Sequence, residues 1–284
     1  MNTSMSRRTM TVSLLAGAAG LGAAGAAHAV AMPAPADAGA SDDHRNLPTV
    51  VLIHGAFADA SSWSGVVERL QKQGQRVVAP PVPLRGLASD AAYVRSVLDS
   101  IEGPVVLVGH SYGGSVISRA AVGAASVKAL VYVAAFVPDV GESAASLAAL
   151  YPGSSLGDTT VAQKYPLPGG GQGDELVIRQ DLFRQQFAAG VPRVTAQTMA
   201  VGQRPITVAA LEERATAAAW KSLPVWYLIA TEDRNIPPAA QRWMAGRAGA
   251  RTVAVRAPHA AAVSDPRAVT ELIRSAARSV RSGH

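Results

Sequence analysis

Beyond residue 48 the chain alternates between two hydrophobic rhythms. Runs that are apolar almost throughout, at residues 49–54, 76–80, 105–108, 127–136, 225–230 and 252–256, have the length of strands. Between them, apolar residues return every three or four positions. Trp63, Val66, Val67 and Leu70 form one such stripe, Val94, Val97, Leu98 and Ile101 another. Ser61 or Ser62 and then Ser89 are placed as N-caps of these helices, while Gly74 and Gly103-Pro104 stop them. Further helices are expected from Tyr112, around Trp243 and Met244, and from Pro266 to Val280. Strands alternating with helices read as parallel βαβ units, and strands without polar alternation read as covered on both faces. The predicted fold is α/β, a mostly parallel central sheet of about six strands with helices on both faces.

The rhythm stops between residues 138 and 223, an interval of about 85 residues that is too long for an ordinary connection. It reads as a helical cap inserted after the fourth strand. Short helices are expected over residues 181–189, with Phe183 and Phe187 on one face, and over 206–219. Those two phenylalanines read as cap core and as candidate pocket wall. The glycine-rich run 168–173 follows no predicted strand and precedes no Gly-Lys-Ser/Thr, so it reads as a flexible hinge rather than a phosphate cradle.

Composition narrows the chemistry. The 284 residues are 49% hydrophobic and 16% charged, which suits one well-filled domain with an insertion. The chain has no cysteine, which removes disulfides, thiolate catalysis and Cys-ligated zinc together. The net charge of +6 comes from scattered Lys and Arg without interleaved aromatics, which reads as a solvated basic surface and not as a nucleic-acid site. Residues 1–29 read as an export signal: Arg7-Arg8 precede a weakly apolar run that ends in Ala27-His28-Ala29, a small-x-small cleavage pattern. The paired arginines resemble a twin-arginine signal, an ordinary secretory signal being the alternative. Removing Arg7 and Arg8 takes the charge from +6 to +4. Residues 30–48 read as a linker, and residues 49–284 as the folded domain. The expected product is exported from a bacterium, periplasmic or extracellular. No later segment has the ~18 apolar residues of a membrane span, so no stable membrane insertion is expected.

Ser111 is the candidate nucleophile. Gly109-His110-Ser111-Tyr112-Gly113 follows an apolar strand and opens a helical pattern, the setting in which a serine is carried on a strained turn. Only glycines at 109 and 113 let strand and helix approach there. A hydroxyl needs an adjacent base, and the base a partner that fixes its tautomer. Of the six histidines, His28, His44 and His284 lie in the signal, the linker and the C-terminal end. His110 should point away from the cleft by strand alternation, and His54 should orient the loop after the first strand. His259, just after the last strand, remains as the base, at the sheet edge where open α/β folds build sites. Asp233 follows the preceding strand and is the favoured acid, with Glu232 and Asp139 as competitors. An oxyanion needs backbone donors: the N–H of Tyr112 is one, and that of Ala56 the second, with Phe57 as the alternative. Phe57 and Tyr112 are also expected to line the substrate pocket.

In order, the motifs are Leu52-Ile53-His54-Gly55-Ala56-Phe57, Val108-Gly109-His110-Ser111-Tyr112-Gly113-Gly114, Ala134-Ala135-Phe136-Val137-Pro138-Asp139, Thr231-Glu232-Asp233-Arg234-Asn235-Ile236-Pro237 and Pro258-His259-Ala260. Over residues 50–280 they resemble the α/β-hydrolase superfamily, in particular the branch of plant methylesterases, hydroxynitrile lyases and bacterial esterase-like relatives. The resemblance implies a triad of Ser111, Asp233 and His259, no cofactor, and small esters or related carbonyl compounds as substrates. The lyases of that branch carry lysine after the histidine, where this chain has Ala260; dehalogenases and epoxide hydrolases carry aspartate where it has Ser111. The antiparallel hairpin of larger members is expected to be missing. Hydrolysis of small carboxylic esters through an acyl-enzyme is the function expected. A ligand sensor with little turnover, and cofactor-free perhydrolase or haloperoxidase-like chemistry, are compatible with the same residues.

Overall fold

The computed structural model describes residues 47–281, so the expected export signal, most of the linker, His28, His44 and His284 lie outside the described residues. The chain builds β1 (Thr49–Ile53), α1 (Ser64–Gln71), β2 (Val77–Val78), α2 (Leu87–Asp99), β3 (Val105–His110), α3 (Tyr112–Ala120) and β4 (Val127–Val133). After an insertion it resumes with β8 (Val225–Ala230), α9 (Pro238–Arg247), β9 (Arg251–Val255), α10 (Ala261–Ser264) and α11 (Pro266–Arg281). The six strands pair in the order β2-β1-β3-β4-β8-β9, and every pairing is parallel.

Alternate residues of each strand feed two cores. Val51, Ile53, Leu107, Leu130 and Tyr227 face a core shared with α2, α3 and α9, while Val50, Leu52, Val106, Val131 and Leu228 face one built with α1 and α11. Burial on both faces explains why these strands show no polar alternation. The chain runs from β1 outward to β2 and then back across to β3. The strand order therefore reverses between β1 and β3, and the connections after their carboxyl ends part there. Such a switch point leaves a crevice.

The insertion contains α4 (Ala144–Ala148), α5 (Leu156–Thr159), β5 (Thr160–Pro166), β6 (Gln172–Ile178), α6 (Gln180–Phe187), α7 (Arg193–Gly202), β7 (Ile206–Thr207) and α8 (Val208–Glu212). It corrects the expectation of a purely helical cap, because β5, β6 and β7 form an antiparallel sheet. The glycine-rich run is not a hinge. It is the tip of the β5–β6 hairpin, where Gly169, Gly170 and Gly171 take φ of 91°, 102° and 86°, values open to glycine and strained for other residues. Nor does a helix run over 206–219: Ile206 and Thr207 are taken into the sheet, and α8 begins only at Val208.

Three smaller expectations also change. Neither Ser61 nor Ser62 caps α1; Asp59 accepts the Ser61 N–H at 2.7 Å and caps a tight turn that precedes it. Ser89 lies inside the first turn of α2, whose N-cap is Gly86. The second strand shrinks to two residues because Pro80-Pro81 has no N–H to extend the ladder.

Candidate active site

Ser111 stands between β3 and α3 with φ 53° and ψ −125°, in the left-handed region that a β-carbon disfavours. Its surroundings hold it there. The Ser111 carbonyl accepts the N–H groups of Gly114 at 3.0 Å and Phe136 at 3.1 Å. A β-carbon at Gly109 would meet the Gly113 carbonyl oxygen at 2.6 Å, and one at Gly55 would meet Ser111 Cβ at 2.6 Å. The turn thus exists only because strand, helix and the loop after β1 approach backbone to backbone.

Asp233 and His259 meet after β8 and β9. His259 Nδ1 lies 2.7 Å from Asp233 Oδ2, and both side chains are fully buried. The carboxylate is saturated with donors: the N–H groups of Asn235 (2.7 Å) and Ile236 (3.0 Å) reach Oδ1, and Gln241 Nε2 (2.8 Å) also reaches Oδ2. With no second acceptor at that edge of the ring, Nδ1 carries the hydrogen and Nε2 is left as the free ring position. His259 Nε2 is buried without a protein partner, so no hydrogen bond joins it to Ser111 Oγ in the structure. In ligand-free enzymes such contacts are often long and tighten when substrate binds.

The competitors for the acid are engaged elsewhere. Glu232 pairs with Arg256 at 2.6 Å, and Asp139 with Lys221 at 2.6 Å. That lysine holds the Asp139 carboxyl below its ordinary range. The backbone donors separate as cleanly. Phe57 N–H donates to the Arg204 carbonyl at 3.0 Å, whereas the N–H groups of Ala56 and Tyr112 have no acceptor among the described residues. Ala56, Phe57, Ser111 and Tyr112 share the wall of a cavity of about 220 Å³. The remaining wall comes from Phe136, from the cap and from Asn235 and Ile236, and carries no charged side chain.

Sequence reasoning missed a supporting shell. Gln241 ties Asp233 to β8, its Oε1 accepting the Ala230 N–H at 3.0 Å. Gln186, in α6 of the cap, donates through Nε2 to the Arg234 carbonyl and to Asn235 Oδ1, each at 2.9 Å. The next residue, Phe187, sets its ring edge-on to His259 at 5.0 Å, and its carbonyl accepts the Ala260 N–H at 2.9 Å. His110 packs against His259: Nε2 donates to the His259 carbonyl at 2.9 Å, with the two rings 4.7 Å apart. His54 donates from Nδ1 to the Gly55 carbonyl and accepts the Val82 N–H at Nε2, both at 2.9 Å. Tyr112 OH donates to the buried Asp90 carboxylate at 2.9 Å, and burial raises the pKa of both groups. Spacing alone carries little trace of these contacts, since each joins separate elements.

The class this arrangement defines agrees with the comparisons. Residues 50–272 match the alpha/beta hydrolase family, and the chain belongs to it. The alpha/beta hydrolase nvfD of Aspergillus novofumigatus is 28% identical over 255 residues, which cover 81% of this chain and 96% of that protein. A carbendazim hydrolyzing esterase of Nocardioides is 36% identical over 114 residues, 36% of this chain and 47% of the relative. Methylesterase 7 of Arabidopsis thaliana is 32% identical over 113 residues, 34% and 44% of the two chains. In three dimensions the chain resembles polyneuridine aldehyde esterase, with a TM-score of 0.71 and 20% identity over 81% of this chain and 98% of that one, a likeness of fold.

Two predictions follow from this packing. A β-carbon at Gly114 would press on the Phe136 carbonyl oxygen and lie 2.8 Å from Ala135 Cβ, so Gly114→Ala should destabilise the protein by about 3 kcal/mol or more. Gly246 lies in α9 with nothing within 4 Å of an added β-carbon, and Gly246→Ala should stabilise by roughly 0.5–1 kcal/mol. Thermal unfolding of the pair reads both signs.

A further prediction concerns pH. Burial lowers the pKa of His54, and burial with the neighbouring His259 ring lowers that of His110 well below the ordinary 6.5. The unfolded chain therefore binds protons that the folded chain refuses. Stability should be complete above pH 6.5 and fall as the pH drops below it, by up to about 1.4 kcal/mol per pH unit for each histidine. His110→Gln should remove one proton from that slope in urea titrations between pH 7.5 and 5. An unchanged slope would refute the assignment.

Proposed function

We propose that the protein is a serine hydrolase that cleaves small carboxylic esters through an acyl-enzyme. The observation that carries this reading is His259, locked at Nδ1 to a saturated carboxylate while Nε2 is buried with no partner among the described residues, its ring 4.7 Å from that of His110, the residue before Ser111. The esterases among its relatives and structural neighbours support the reaction class.

In the first step Nε2 takes the Ser111 proton as Oγ bonds to the ester carbonyl carbon. The oxyanion is received by the Ala56 and Tyr112 N–H groups, which are free of protein acceptors. Asp233 keeps the imidazole oriented and stabilises its charged form. As the bond from carbon to the alcohol oxygen breaks, Nε2 returns its proton to that oxygen. Water repeats the sequence on the acyl-enzyme and frees the acid. All groups in this scheme are side chains or backbone of the chain itself, so no cofactor is invoked. Lyase chemistry is not favoured, because Ala260 brings no ammonium group beside His259. Export remains part of the proposal, on the strength of Arg7-Arg8 and Ala27-His28-Ala29.

A fluorophosphonate probe should label the folded protein at Ser111, and Ser111→Ala should abolish both labelling and ester turnover. Asp233→Asn should lower kcat by about 10⁴-fold while leaving binding nearly intact. Peptide mapping and steady-state kinetics check these outcomes; a folded wild type that takes no label would sink the nucleophile assignment.

A further inference from the structure

Five side chains in the wall of the cavity at Ser111 carry a polar group: Ser111, Tyr112, Ser154, Thr160 and Asn235. Three of them are committed within the protein. Tyr112 OH donates to Asp90 at 2.9 Å, Ser154 Oγ to the Asn235 carbonyl at 2.9 Å, and Thr160 Oγ1 to the Gly157 carbonyl at 3.5 Å. The Ser111 proton passes to His259 in the proposed reaction. Asn235 is left, and its side chain is only half used.

Neighbouring groups fix which half. Gln186 Nε2 reaches the Arg234 carbonyl and the Asn235 side chain, each at 2.9 Å. A carbonyl can only accept, so the end of Gln186 that faces it is the NH2 end; Ser155 donates to the other end, Oε1, at 2.8 Å. The Asn235 atom that meets this NH2 group is in turn the acceptor, Oδ1. Nδ2, with two hydrogens to give, therefore stands at the free end of the amide and has no acceptor among the described residues. Asn235 is 4% exposed. Unlike His259 Nε2, its unpartnered nitrogen is not sealed by protein, and the open space that Asn235 borders is the cavity at Ser111.

We infer, on the basis of the esterase reading, that Asn235 Nδ2 is a specificity-determining donor. The preferred substrates are then esters with one apolar arm that carries a single neutral oxygen acceptor, ether in class. The rest of the wall sets the remainder of that description. Phe136, Leu156, Leu176, Leu211 and Ile236 suit an apolar arm, and without a charged side chain in the wall an anionic arm would go uncompensated. A methylene in place of the acceptor would leave the amide hydrogens buried and unpaired, the condition under which a site discriminates most strongly. Asn235 also joins recognition to the triad, because its own N–H donates to Asp233 Oδ1 at 2.7 Å.

The test sets ethers against their methylene isosteres. Ethyl ω-methoxyalkanoates are compared with ethyl alkanoates of equal chain length, and methoxyalkyl butanoates with the matching alkyl butanoates, so that the ether oxygen samples successive positions in either arm. Wild type should favour at least one ether over its isostere by about tenfold or more in kcat/KM. Asn235→Leu and the isosteric Asn235→Asp, which keeps the acceptor for Gln186, should each abolish that preference. Damage to the Asp233 loop slows both members of a pair alike, so a merely structural role would leave the ratio unmoved. Turnover of the alkyl esters and labelling at Ser111 report that each variant is folded. The inference is overturned if wild type prefers no ether in either series, or if the preference survives either substitution. Under those outcomes labelled Ser111 and alkyl ester turnover still uphold the esterase reading. A folded wild type that cleaves none of the esters and takes no fluorophosphonate overturns both.

Discussion

The contact on which the rest depends is the backbone-to-backbone approach around Ser111. A β-carbon at Gly113 would lie 2.5 Å from the Ile53 carbonyl oxygen, and one at Gly109 or Gly55 would strike Gly113 or Ser111. With those side chains absent, β3, α3 and the end of β1 close on one another, and Ser111 is forced to positive φ with its hydroxyl at the switch point. Strain of this kind costs on the order of 1–3 kcal/mol and persists only where the surroundings over-determine it. Here the hydrogen bonds from Gly114 and Phe136 to the Ser111 carbonyl, and two cores on either side of the sheet, do so.

A second constraint is electrostatic. Three histidines, His54, His110 and His259, are buried near the same sheet edge, and charging all of them there would be costly. Each of the first two is satisfied through backbone partners that need no ionised group. His259 alone faces a carboxylate. The carboxylate thus orients one imidazole, and backbone groups fix the other two rings as packing around it.

Much of this was legible in the sequence, and the limits are physical. The central strands are apolar on both faces, so their positions stood out; the turn at Ser111 was marked by glycines whose absence of side chain is itself the signal. Asp233 and His259 followed from their places after successive strands. The cap sheet was not legible, because β5 is largely exposed, β6 is only half-buried, and mixed polar and apolar residues there imitate loop. His110 stays out of the cavity wall, as strand alternation directs, but its contacts were not legible for a different reason. Strand alternation gives the direction of a side chain from its own strand, whereas Trp63, Phe187 and the His259 loop close around this one from three other elements. Gln186 and Gln241 were out of reach because an amide's role is decided by what folds against it.

Gln186 and Phe187 also change how the cap is understood. They are adjacent on α6, yet one bonds the loop of Asp233 and the other bonds the Ala260 N–H and sets its ring edge-on to His259. Ser155, elsewhere in the cap, fixes the Gln186 amide by donating to its Oε1 at 2.8 Å. Asp233 and His259 are therefore held against each other partly by a helix outside the central sheet. The same segments of the insertion supply Ser154, Leu156 and Gly157 to the cavity at Ser111. The segment lining that cavity is thus hydrogen-bonded through Ser155 to the helix that braces the Asp233 loop. Substrate shape and the geometry of the proposed acid–base couple are for that reason linked through the cap, and sequence change in the insertion that alters one has a direct mechanical route to the other.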